Sequence, residues 1–162
     1  INFANCILKL SKNFNNLHFI VRYKDENTHR KLPTNLLNEI NNFENIEINT
    51  NFNSVNSYDL ISISDFVIGK FSTIMEESLS AGKEIAILDE ENYCSSLGHV
   101  INEIDVVKSS YEEIYERLKL FSNGNFEKNN KVQSIKENFF PKKDLDIFEL
   151  IKQTAVEKIN KK

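Results

Sequence analysis

Four polar side chains crowd one short stretch of this chain. In "FVIGKFSTIMEESLSAGKEIAIL", Phe66 to Leu88, a glycine ends an apolar run, two hydroxyls follow, and two adjacent carboxylates lie just beyond them. Gly69 permits a tight exit from a strand, and Ser72 and Thr73 offer hydroxyl donors where a helix begins. The free amides of that helix start and its dipole favour an anion, and a diphosphate fits such a cradle. Thr73-x-x-Glu76 also matches a capping box, which gives Glu76 a purely structural role. Glu77 has no capping partner at that spacing and lies about 100° further round the helix, where it is suited to accept paired hydroxyls such as a ribose 2′- and 3′-OH. Phe71, Ile74, Met75 and Leu79 form the core-facing stripe of the same helix.

A second group of candidates is "FIVRYKD", in which Arg22 and Lys24 stand at the end of an apolar strand. If the strands are parallel, both cations reach the same sheet edge as Ser72 and Thr73. There they would stabilise charge on a departing phosphate. A surface ion pair with Asp25 or Glu26 accounts for them equally well. The remaining candidates carry less. His18, inside an apolar run, reads as a hydrogen-bonded core or edge residue rather than a catalyst. Cys94 and His99 lack the further ligands a metal site needs. Asp89, Glu90 and Glu91 follow a strand end, where they could line the cleft or bind a cation, and read more readily as a solvated acidic loop.

These residues need elements to hold them. Phe3, Ile7, Leu8 and Leu10 keep helical spacing up to Phe14, and Leu17 to Val21 makes a buried strand. Pro33 suits the first turn of a helix over Thr34 to Asn42. "NIEINT" is a strand, "SYDLISIS" a short helix, "DFVIG" the next strand, and "EIAIL" and "IDVV" two more. Strands alternating with helices favour right-handed crossovers, so the expected class is α/β: a doubly wound parallel sheet of about five strands. A C-terminal helical cover follows, formed by "SYEEIYERLKLF" with Ile114, Leu118 and Phe121, then Asn125 to Phe140 and Leu145 to Lys158. Asparagine is abundant yet absent between Asn56 and Asn92, which marks that stretch as interior.

Composition narrows the class of function. The 162 residues, 40% hydrophobic and 27% charged, suit a single domain, 1–162. The chain begins with Ile and its one methionine is Met75, so a larger, two-domain protein is expected. A net charge of −4 with scattered lysines argues against a nucleic-acid groove. Cys6 and Cys94 are far apart, lack the C-x-x-C or paired Cys/His spacing of a structural zinc site, and read as reduced thiols of a cytoplasmic protein. No apolar run spans a bilayer. Lys158, Lys161 and Lys162 suit the end of a helix and would allow a weak peripheral contact with anionic lipid at the inner face of the cell membrane.

The stretch "SDFVIGKFSTIMEESLSAGKEIAIL" resembles the nucleotide-sugar-binding motif in the C-terminal domain of GT-B glycosyltransferases. The related transferases of surface polysaccharide and teichoic acid synthesis, which include CDP-glycerol glycerophosphotransferases, carry it too. It is also similar to the "SGG-x-x-EE…GKP" stretch of the non-hydrolysing nucleotide-sugar 2-epimerases. The resemblance implies a Rossmann-like domain, a diphosphate on Ser72 and Thr73, and a ribose on Glu77, five residues before Gly82. It implies a catalytic basic pair in Arg22 and Lys24, a nucleotide-diphosphate sugar as substrate, no separate cofactor or metal, and an acceptor domain N-terminal to this one. Two positions depart from the pattern: Glu84 replaces the usual proline, and Ser72–Thr73 replaces the epimerase double glycine. The rival readings are an epimerase half and a non-catalytic α/β module that binds a partner protein.

Overall fold

The computed structural model describes residues 3–24, 33–51, 53–89, 106–108 and 110–125. Among them are five helices and five short strands: α1 (Phe3–Asn13), β1 (Phe19–Val21), α2 (Thr34–Asn41), β2 (Ile46–Ile48), α3 (Ser57–Ile63), β3 (Phe66–Gly69), α4 (Thr73–Ser80), β4 (Glu84–Leu88), β5 (Val107–Lys108) and α5 (Tyr111–Ser122). The class is therefore mixed α/β, and every strand pair is parallel. The helical segments expected after Asn125 lie outside the described residues.

Among the described residues the strands pair as two small sheets, β1–β2 and β3–β4–β5, and one continuous five-stranded sheet is not shown. Apolar alternation reports which strands are buried, but a strand's hydrogen-bonding partner depends on contacts distant in sequence, which periodicity does not encode. The two sheets nevertheless feed one apolar cluster. Val21 of β1 and Ala86 and Leu88 of β4 are buried with Cys6, Ile7, Leu10 and Phe14 from α1 and its exit, and with Ile114 and Leu118 of α5.

β4 explains why "EIAIL" is wholly apolar after Glu84. Its Ala86 and Leu88 point into that cluster, while Ile85 and Ile87 pack on the opposite face with Met75 and Leu79 of α4. A strand covered on both sides has no solvated face to make polar. α1 divides its surface similarly, since Ala4 and Leu8 turn from the first cluster towards Leu36 and Ile40 of α2. Its C-terminal carbonyls are gathered by one side chain: the Asn45 amide donates to the carbonyls of Ser11, Phe14 and Leu17 at 3.1 to 3.2 Å.

Two helices stop in the same way. Gly82 and Gly124 adopt left-handed φ of 74° and 69°. After α4, Gly82 N donates to Leu79 O and Lys83 N to Ser78 O. After α5, Gly124 N donates to Phe121 O and Asn125 N to Leu120 O. Both are Schellman endings, and the left-handed residue each requires is the glycine. No helix among the described residues is long and apolar enough to cross a membrane.

Candidate functional site

Gly69 closes β3, and its missing side chain is explained by the helix that follows rather than by its backbone angles. A Cβ there would lie 2.7 Å from Met75 Sδ, inside van der Waals contact. Met75 is buried against Ile85 and Ile87, so it has little room to withdraw. The close approach of α4 to the end of β3 thus fixes Gly69 and sets the start of the helix.

That start is one residue earlier than a Thr73–Glu76 capping box requires. Ser72 is the N-cap, extended at φ −166° and ψ 164°, and its carbonyl accepts from Met75 N at 2.9 Å. Thr73 is already the first helical residue, so Glu76 stands a position too far along to close a box. The Ser72 hydroxyl makes no cap hydrogen bond, and both Ser72 and Thr73 are exposed. A complete capping box occurs one helix earlier, on α3: Asp59 N donates to Asn56 Oδ1 and Asn56 N to Asp59 Oδ2, each at 2.9 Å.

Glu77 lies about one turn beyond the Ser72–Thr73 pair. Its carboxylate is half-buried and already engaged: the Tyr58 hydroxyl, from the first turn of α3, donates to Oε1 at 2.7 Å. The other oxygen, Oε2, is enclosed and has no hydrogen-bond partner among the described residues. The hydrogen bond to Glu77 and the negative charge of that carboxylate both push the Tyr58 phenol above its ordinary 10.0. A second tie joins the two helices, Lys83 Nζ donating to Ser62 O at 2.8 Å. Because Tyr58 meets Glu77 and Ser62 meets Lys83 in the same order, α3 and α4 run side by side in one direction. The first turn of α3 is therefore level with Glu77, at the N-terminal end of the interface between them.

Arg22 is joined to that end from the other sheet. Its guanidinium donates to Asn49 Oδ1 at 2.5 Å and to Val55 O at 3.0 Å, clasping the exit of β2 and the approach to α3. Burial lowers its pKa below the ordinary arginine value. Arg22 is thus a brace as well as a cation. Lys24 is exposed, and Asp25 and Glu26, its expected ion-pair partners, lie outside the described residues. His18 is exposed at the sheet edge, 3.6 Å from Glu47.

The structure groups Gly69, Ser72, Thr73 and Glu77 in one strand–turn–helix unit and ties Glu77 through α3 to the loop that Arg22 holds. It adds two residues that spacing alone does not single out. Tyr58 and Asn49 are 19 and 27 positions from the residues they bond, beyond any local pattern. Asp89 is only 7% exposed, unlike a residue of a solvated loop, and its amide donates to the carbonyl of Lys108, itself 8% exposed. The alternation Ile85, Ile87, Asp89 was the available signal, since it carries Asp89 onto the α4 side of the sheet. Among the described residues no group of three or more His, Cys, Asp or Glu side chains is arranged to hold a metal ion.

Chemically, the unit offers uncommitted hydroxyls at a helix start, which suit an anion, and a carboxylate with a vacant acceptor oxygen, which suits a hydroxyl donor. Comparison of the chain with protein-family models, with curated proteins and with solved structures finds no match.

Proposed function

We propose that this chain is the nucleotide-sugar-binding half of a metal-independent glycosyltransferase or glycerol-phosphate-type transferase that builds surface polysaccharide or another glycoconjugate in the cytoplasm. The observation that carries the reading is the state of Ser72: an N-cap residue whose hydroxyl caps nothing, exposed beside Thr73 at the start of α4 and about one turn from Glu77. In a helix evolved only to fold, that position normally satisfies an amide of the first turn. Here the hydroxyl and the amides are left for a ligand.

In this reading Ser72, Thr73 and the α4 amides hold the diphosphate, and Glu77 takes the ribose. Lys24, exposed at the end of β1, offsets the charge that builds on the nucleoside diphosphate as its bond to the sugar breaks. Arg22 shapes the rim and adds its field from behind. The acceptor and the group that deprotonates it belong to a domain N-terminal to this one. The finer architecture proposed is a single doubly wound sheet with β1 beside β3.

Thermal shift against UDP, CDP and GDP tests the proposal. At least one should raise the melting temperature, by linkage of binding to folding, and Ser72→Ala should abolish the shift. A wild-type chain indifferent to all three, by shift and by calorimetry, overturns it.

One set of contacts favours a different class. Arg22 is committed to Asn49 and Val55, and Glu77 to Tyr58, so two of the expected ligand contacts are spent within the chain. A non-catalytic α/β module that binds a partner protein would have this economy, and an indifferent wild type in the same experiment supports it.

A further inference from the structure

We propose that Tyr58 is a ligand-displaced latch on Glu77: its hydroxyl occupies the carboxylate in the empty protein and is exchanged for the two hydroxyls of a vicinal diol. The inference rests on the nucleotide-sugar reading and deepens it, by naming what holds the ribose site closed and what selects the sugar that opens it.

The Tyr58–Glu77 pair is incomplete as it stands. An ionised carboxylate only accepts hydrogen bonds, through two oxygens, and a phenol has a single proton to give. Tyr58 supplies it to Oε1 at 2.7 Å, while Oε2 is enclosed without a partner among the described residues. Enclosing an acceptor without a donor is unfavourable, and the cost persists as long as the latch is shut. A cis-diol presents two donors on adjacent carbons and serves both oxygens at once. In the proposed exchange the departing ring uncovers Oε2, and the diol gains a hydrogen bond on the oxygen that lacks one.

Displacement is also structurally cheap. Tyr58 is one of only two large hydrophobic side chains that stand exposed among the described residues, at 41%, and it belongs to none of the apolar clusters, so swinging the ring outwards leaves them intact. The two helices stay joined without it, because Lys83 holds the Ser62 carbonyl at the far end of the same interface. The Asn56–Asp59 box keeps the first turn of α3 formed while the side chain moves. The stationary parts are thus secured independently of the moving one.

A selectivity follows. A 2′-deoxyribose offers one hydroxyl where ribose offers two, and so replaces Tyr58 without satisfying the second oxygen. The latch discriminates against deoxynucleotides by refusing to exchange one donor for one donor.

Calorimetric titration of wild type and Tyr58→Phe with UDP and 2′-deoxy-UDP tests this, alongside NMR of selectively labelled tyrosine rings in the wild type. Tyr58→Phe should bind UDP about 3- to 10-fold more tightly, since the competing hydroxyl is gone and the ring retained. Wild type should favour UDP over its 2′-deoxy form by a similar factor, and the Tyr58 ring signal should shift on saturation with UDP. Equal or weaker binding by Tyr58→Phe, or a ring signal that UDP leaves in place, overturns the latch while the nucleotide-sugar reading stands. No binding of UDP, CDP or GDP by either protein removes both.

Discussion

Glu76 and Glu77 are chemically identical neighbours, and Glu77 meets a side chain that reports on it. Tyr58 donates to Glu77 at 2.7 Å, and loss of its proton would place a phenolate against a carboxylate. The hydrogen bond first, and the charge second, therefore raise its pKa above 10.0. Tyr23 and Tyr111 are raised as well, chiefly by burial, so late titration alone does not identify Tyr58. Glu77→Gln does, because it removes the charge and alters the acceptor: the tyrosinate step assigned by difference against Tyr58→Phe should move back towards 10.0 in absorbance titrations. The sign for stability follows from the same shift. A pKa raised by folding means the contact contributes fully below the unfolded value and is lost as pH rises through the folded one. The stability difference between wild type and Tyr58→Phe should hold at neutral pH and vanish in strong alkali. Sequence spacing picks out Glu77 because a carboxylate with no capping partner is visible within one turn of helix. Tyr58 is invisible to it, since no local rule connects residues 19 apart.

Elements carry a different lesson, about which local signals decide a helix start. "STIMEE" offers two registers, and the capping pattern Thr73-x-x-Glu76 favours the later one. The chain takes the earlier, because Met75 must lie on Gly69 while Leu79 reaches Ile85, and burial of two side chains outweighs one cap. Ser72→Ala should accordingly leave stability within about 0.5 kcal/mol of wild type in chemical denaturation. Asn56→Ala, which breaks a complete capping box, should cost about 0.5–2 kcal/mol. Gly69→Ala should cost about 1–3 kcal/mol through overpacking. Combined with Met75→Ala it should cost less than the sum of the two changes, since the second removes the atom the first collides with. The abundance of asparagine conceals these roles. Asn45 gathers carbonyls at the end of α1, Asn49 receives Arg22 and Asn56 caps α3, yet in the sequence they look like the many others.

For the whole molecule, the readable part was the set of strands and the layering around them. β4 shows why: a run with no polar interruption requires cover on both faces, and α4 on one side with α1 and α5 on the other provide it. The sheet order was not readable, and one amide now tests it. In β1, Phe19 N donates to Asn45 O and Val21 O accepts from Asn49 N, so these alternate residues face β2. The intervening Ile20 directs its backbone groups to the other side, as parallel pairing requires. Phe19 and Val21 share an apolar cluster with Phe66 and Ile68 of β3, which makes β3 the neighbour positioned to receive those groups. If β1 adjoins β3 in one continuous sheet, the Ile20 amide should exchange with solvent as slowly as those of β4 and show cross-strand contacts to residues 66–69 by NMR. Exchange of Ile20 at the rate of an open edge would mean two separate sheets packed through side chains alone. Arg22 would then be bracing a β1–β2 unit independent of α4, and the proposed diphosphate and ribose contacts would lose the cations of that strand.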